Sequence, residues 1–135
     1  SLGSQKEMTE ISDKAFPLAD EEVTKLVLEI VTHAADNKTL KQSINQVKKS
    51  VTSGAALLVV LAADHTPIED LLSLPALCEE RRTPYVFVHS RELLSRYARL
   101  DRPTSAVVLV EDPLAQQQDV HRIKLLAEMV ERLLI

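Results

Sequence analysis

A single α/β domain, with helices on both faces of a mostly parallel or mixed sheet, is predicted by three features of the chain. Its 135 residues suit one hydrophobic core. Two continuous apolar runs of strand length, Ala55 to Ala63 and Ser105 to Val110, read as strands covered on both faces. Segments with apolar residues at helical spacing alternate with those runs, which is the pattern of a three-layer α/β/α sandwich.

Residues 1–13 mix Ser, Gly, Gln and Glu, and open on a Ser-Leu-Gly-Ser stretch of the kind a cloning vector leaves behind. They are expected to form a disordered tail, so the domain spans residues 14–135. From Asp20 onward Val23, Leu26, Val27, Ile30 and Ala34 recur at helical spacing, and Glu21 and Glu22 stand at the positive end of that helix dipole. A second helix is expected to begin with Thr39 and Gln42 as a capping box, to bury Leu40, Ile44, Val47 and Val51, and to stop at Gly54. Its opposite side carries Gln42, Asn45, Gln46 and Lys49.

After the strand ending at Ala63, Thr66, Pro67 and Glu69 form an N-cap, a first-position proline and a reciprocal acid. They predict a third helix holding Leu71, Leu72, Leu74, Leu77 and Cys78, distorted at Pro75. Pro84 introduces a short strand, Tyr85 to His89, and Ser90 caps a helix with Leu93, Leu94 and Tyr97. A basic loop, Arg99 to Pro103, leads to the last strand. The final helix carries Val120, Ile123, Ala127, Val130 and Leu134 as its apolar stripe.

Composition narrows the function. Aromatic residues make up only 3% of the chain, which argues against a platform that stacks single-stranded bases. The net charge of −4 means that any affinity for nucleic acid must come from a local basic patch. Cys78 is the only cysteine, so no intrachain disulfide or multi-cysteine zinc site is possible, and a reducing compartment suits it. With no membrane-spanning run in the sequence, a soluble intracellular protein is expected.

Catalytic chemistry finds little support. Gly3 and Gly54 are the only glycines, so neither a phosphate-binding loop nor a dinucleotide fingerprint can be written, and an enzyme acting on small molecules is the weakest reading. His33, His65, His89 and His121 are scattered and form no metal pair, so no cofactor is expected. Asp64, His65 and Ser90 include the residue types of a hydrolytic triad, but Ser90 occupies a helix-cap context. Cys78 falls on the apolar side of its helix, where a thiol acts as a small hydrophobe.

Several stretches resemble a known family in collinear order from about Lys14 to Ile135. They are Ala15-Phe16-Pro17-Leu18-Ala19-Asp20, Leu61-Ala62-Ala63-Asp64, Leu74-Pro75 with Leu77-Cys78-Glu79, Pro84 to Val88, Arg102-Pro103, and Glu131 to Leu134. Together they resemble the kink-turn RNA-binding ribosomal-protein family, on the side of its eukaryotic small nucleolar and spliceosomal members. The resemblance implies a four-stranded mixed sheet and a non-catalytic protein. It also implies binding to kink-turn RNA, bent at a bulge flanked by sheared G·A pairs, and nucleation of a box C/D or spliceosomal ribonucleoprotein in the nucleus and nucleolus. Other core proteins of the particle are the implied partners, with no membrane involved and a monomer in isolation.

By the same resemblance the region Lys41 to Lys49 enters the groove beside the G·A pairs, and Arg99 to Pro103 cover the extruded nucleotide. Asn45 and Gln46 carry amides suited to purine edges, and Lys49 adds a charged donor one turn from Asn45. Lys41, Lys48, Arg91 and Arg102 suit phosphates, and Leu100 suits apolar contact with a bulged base. Ser43 stands where the family usually has Gly, Gln46 where it has Glu, and Thr66 and Asp70 where this branch has Glu and an apolar residue. These departures support an alternative, a paralogue that serves as a protein-interaction scaffold with weakened kink-turn binding. Arg96 and Arg99 read as solvated surface.

Overall fold

The computed structural model describes residues 11–111 and 117–132. Five α-helices and a four-stranded mixed sheet make up the described architecture. In chain order the elements are α1 (Glu21–Asp36), β1 (Leu40–Gln42), α2 (Ile44–Ser53), β2 (Ala56–Ala62), a 3-10 helix (Ile68–Leu71), α3 (Ser73–Arg81), β3 (Tyr85–Val88), α4 (Arg91–Tyr97), β4 (Ala106–Val110) and α5 (Gln117–Arg132). The strands lie in the order β1-β4-β2-β3. Only β2 and β3 run parallel; β4 is antiparallel to both β1 and β2.

Strand alternation divides the core. Leu58, Val60 and Ala62 of β2 point to one face, where Val27, Val31, Leu94, Leu126 and Val130 of α1, α4 and α5 meet Val107 and Leu109. Val59 and Leu61 point to the other, against Val47 and Val51 of α2, Leu74 and Cys78 of α3, and Phe87 and Val108. A side-chain period of two therefore turns one apolar run into the floor of two separate cores. Burial pushes the Cys78 thiol up to about 12, so it stays a protonated hydrophobe at physiological pH.

Local chemistry explains most boundaries. The Asp20 carboxylate accepts the Val23 N–H at 2.8 Å to start α1, and the Ser90 hydroxyl accepts the Leu93 N–H at 3.0 Å to start α4. Gly54, at φ 82°, closes α2 in the left-handed conformation. The outer edge of β3 is covered by the segment before α1: Phe87 donates to the Pro17 carbonyl and accepts from Ala19 N–H, each at 2.8 Å. Ile11, expected within the tail, is half-buried against the core on the α2 and α3 face. Residues 1–10, the Val120 side chain and Leu134 lie outside the described residues.

Two expectations need correction. Leu40 to Gln42 form an edge strand rather than the first turn of a helix, and the helix begins at Ile44 behind a Ser43 cap. The segment pairs with Leu109, Val108 and Val107 of β4, a partner too distant in sequence to show in a local pattern. Likewise the helix expected from Thr66 is broken into the 3-10 turn and α3. Pro75 explains the break: it lacks an N–H and its ring collides with the carbonyl four residues back, that of Leu71, so an α-helix tolerates it only in the first turn.

Candidate RNA interface

The residues singled out from sequence come from four elements, and the sheet brings most of them to one end. At that end lie the finish of β1, the start of α2, the C-terminal ends of β2 and β3, and the start of β4. The Ser43 N–H donates to the Ala106 carbonyl at 3.1 Å, which ties the start of α2 to the start of β4. Ala62 N–H donates to the Ser105 carbonyl and Ala63 N–H to the Val88 carbonyl, both at 2.8 Å. The Asp64 carboxylate accepts the Arg91 N–H at 2.8 Å, which adds the start of α4.

Helix α2 presents its polar side as the periodicity predicts. Val47, Ser50 and Val51 are buried, whereas Asn45, Gln46, Lys48 and Lys49 are exposed. Asn45 and Lys49 are four residues apart and so share one face of the helix. Lys41 on β1, Arg91 on α4 and Arg102 in the following loop are also exposed. Among the described residues none of Lys41, Lys48, Lys49, Arg91 and Arg102 forms an ion pair, which leaves five cations available to an anionic partner.

Arg96 and Arg99 are placed differently. Arg96 pairs with Glu92 one turn away, and Arg99 reaches back to Asp36 at the end of α1, with its Nε 2.6 Å from the carboxylate. Both agree with a surface role. The loop between α4 and β4 is pinned by Ser95, whose hydroxyl accepts the Thr104 N–H at 2.7 Å and donates to the Arg91 carbonyl at 2.8 Å. Leu100 is half-buried and packs against the core beneath α1, so only part of its side chain faces outward.

Ser43 carries the strongest local signal. Its backbone sits at φ 88° and ψ 152°, a region that a Cβ disfavours and that glycine occupies freely. The side chain still caps α2, its hydroxyl accepting the Gln46 N–H at 3.3 Å. Strain of this type costs about 1–3 kcal/mol, against a few tenths lost when glycine replaces a serine cap. Ser43→Gly is therefore expected to raise the unfolding free energy by about 1 kcal/mol, read from the urea midpoint. An unchanged or lower midpoint contradicts the strain.

Sequence reasoning missed one cluster at this end. His65 bonds to neither Asp64 nor Ser90, whose side chains cap α4. Instead its Nδ1 lies 2.6 Å from Ser105 Oγ and its Nε2 lies 3.2 Å from Asp70 Oδ2. Ser105 is 40 residues from His65, so no local spacing announces the contact.

The sequence profile of the ribosomal protein L7Ae/L30e/S12e/Gadd45 family matches residues 25–118. NHP2-like protein 1 of Xenopus tropicalis is 39% identical over 126 residues, 93% of this chain and 97% of that protein. The 13 kDa ribonucleoprotein-associated protein of Saccharomyces cerevisiae is 39% identical over 129 residues, 95% of this chain and all of its own length. Among solved structures, the Giardia lamblia 15.5kD RNA binding protein superposes with a TM-score of 0.85 at 33% identity, covering 91% of this chain and 99% of its own.

Proposed function

Because the chain belongs to the ribosomal protein L7Ae/L30e/S12e/Gadd45 family, we propose that it is a non-catalytic RNA-binding protein that recognises kink-turn RNA and nucleates a ribonucleoprotein. The supporting observation is the exposed pair Asn45 and Lys49 on one face of α2, which starts at the strained Ser43 and at the same sheet end as Arg91 and Arg102. An amide that both donates and accepts, next to a charged donor, suits the purine edges exposed where a duplex is sharply bent. The surrounding cations hold the backbone without reading its sequence.

The Saccharomyces cerevisiae relative bears the name of a ribonucleoprotein-associated protein, and the Giardia protein that of an RNA binding protein. We extend that role to this chain, with small nucleolar or small nuclear RNA and the other core proteins of the particle as partners, in the nucleus and nucleolus. No described helix is long and apolar enough to cross a membrane. Asp70 favours a second reading, a scaffold with weakened RNA binding, because it brings an exposed carboxylate to the cationic end.

A salt titration separates the two readings. Kink-turn RNA and an unbent duplex of equal length and charge are compared from low to physiological ionic strength. The expected result is a kink-turn affinity at least about tenfold above that of the duplex, retained as salt rises, since counterion release weakens both alike. Equal, steeply salt-dependent binding to the two RNAs selects the scaffold.

A further inference from the structure

One carboxylate stands apart from the other charges at this end of the sheet. Asp70 projects from the 3-10 helix with 54% of its side chain exposed. It is held in place. The neutral tautomer that satisfies every partner has the Ser105 hydroxyl donating to His65 Nδ1 and Nε2–H donating to Asp70 Oδ2. Ser105 is only 9% exposed and adjoins β4, so the chain of bonds is rooted in the sheet.

The position of the chain is defined from both sides. His65 follows Asp64, whose carboxylate caps α4 at Arg91. Ser105 ends the loop that carries Arg102. A carboxylate fixed at a cationic end repels the phosphates attracted there, so its use in an RNA interface is to accept from a ribose 2′-hydroxyl or a base, and only a base offers two adjacent donors.

The bases differ in what they offer. On its Watson–Crick edge guanine presents two adjacent donors, N1–H and N2–H, whose spacing matches the two oxygens of a carboxylate. Uracil flanks its one donor with two carbonyl oxygens, and adenine and cytosine set their amino group beside an unprotonated ring nitrogen. Oδ2 keeps lone-pair capacity after taking the imidazole N–H, and Oδ1 carries no hydrogen bond among the described residues. A Watson–Crick pair closes this edge, and a base extruded from the stack presents it whole.

We infer that Asp70, positioned by His65 and Ser105, selects an unpaired guanine in the bound RNA. The inference rests on the proposed RNA-binding function and names the base that one part of the interface reads. Asp70 is the residue that touches the base; His65 and Ser105 act through it.

The test uses the full chain and four kink-turn RNAs that differ only in the nucleotide extruded at the bend, titrated at one salt concentration. Guanine is expected to bind tighter than uracil by about tenfold, the scale of one bidentate base contact. Asp70→Asn should level that ratio. His65→Ala should reduce it while uracil RNA still binds, an outcome that a loss of fold does not produce. Equal affinity for all four RNAs, or a guanine preference that survives Asp70→Asn, overturns the inference and leaves the function standing. Failure of the unsubstituted chain to bind any of the four overturns the proposed function, and this inference with it.

Discussion

Asn45→Ala and Lys49→Ala are each expected to weaken kink-turn binding about tenfold or more, with a much smaller loss on an unbent duplex. Both side chains are exposed on α2 and neither belongs to the core, so the substitutions should move the unfolding free energy by no more than about 0.5 kcal/mol. Affinity and stability thus separate. The two residues share one helix face, so their effects belong to one site, and the double variant should lose less than the sum of the single losses. Lys49→Ala should also flatten the salt dependence, because one cation fewer displaces counterions. An equal loss on bent and unbent RNA would assign both residues to general phosphate attraction instead.

Phe87→Ala should cost about 3–5 kcal/mol of stability, the range for emptying a buried phenylalanine site. That is a large share of the roughly 5–15 kcal/mol that holds a domain of this size together. The chain has two Phe and two Tyr, and Phe87 is the one aromatic side chain among them with no exposed surface. It sits with Leu61, Leu71, Leu74 and Ala15 in the core under α2 and α3. Its neighbours Leu61, Leu71 and Leu74 are themselves fully buried, so they can fill the cavity only by leaving their own sites. Its backbone also carries the segment from Pro17 to Ala19 on the sheet edge, so hydrogen exchange there should quicken in the variant. A drop below about 1 kcal/mol would show that the site closes by repacking.

The departures at the interface lead to one physical picture. Ser43 keeps a backbone shape suited to glycine, and Asp70 places a held negative charge among cations. Each costs stability or phosphate attraction by itself. Strain and unfavourable charge that the surrounding structure holds in place are features of functional surfaces, and here both fall at the same end of the sheet.

Much of the fold was legible because its signals are local. The apolar run at β2, the helical spacing that starts after Asp20, the cap at Ser90, the glycine after α2 and the polar face holding Asn45 and Lys49 depend on neighbours within a turn or two. Such features follow from side-chain period and capping geometry, which a sequence states directly. Even the strained position was visible as a serine where the resembled family has glycine.

Contacts with partners far along the chain arise only once the layers are packed. Leu40 to Gln42 became a strand only because β4 offers an edge, and His65 became the holder of Asp70 only because Ser105 is folded against it. Neither contact leaves a periodic trace, since pairing across a sheet and bonding between loops are set by where the layers stack. Residue type and spacing set which side chains are available and which faces they share; packing chose which of them meet.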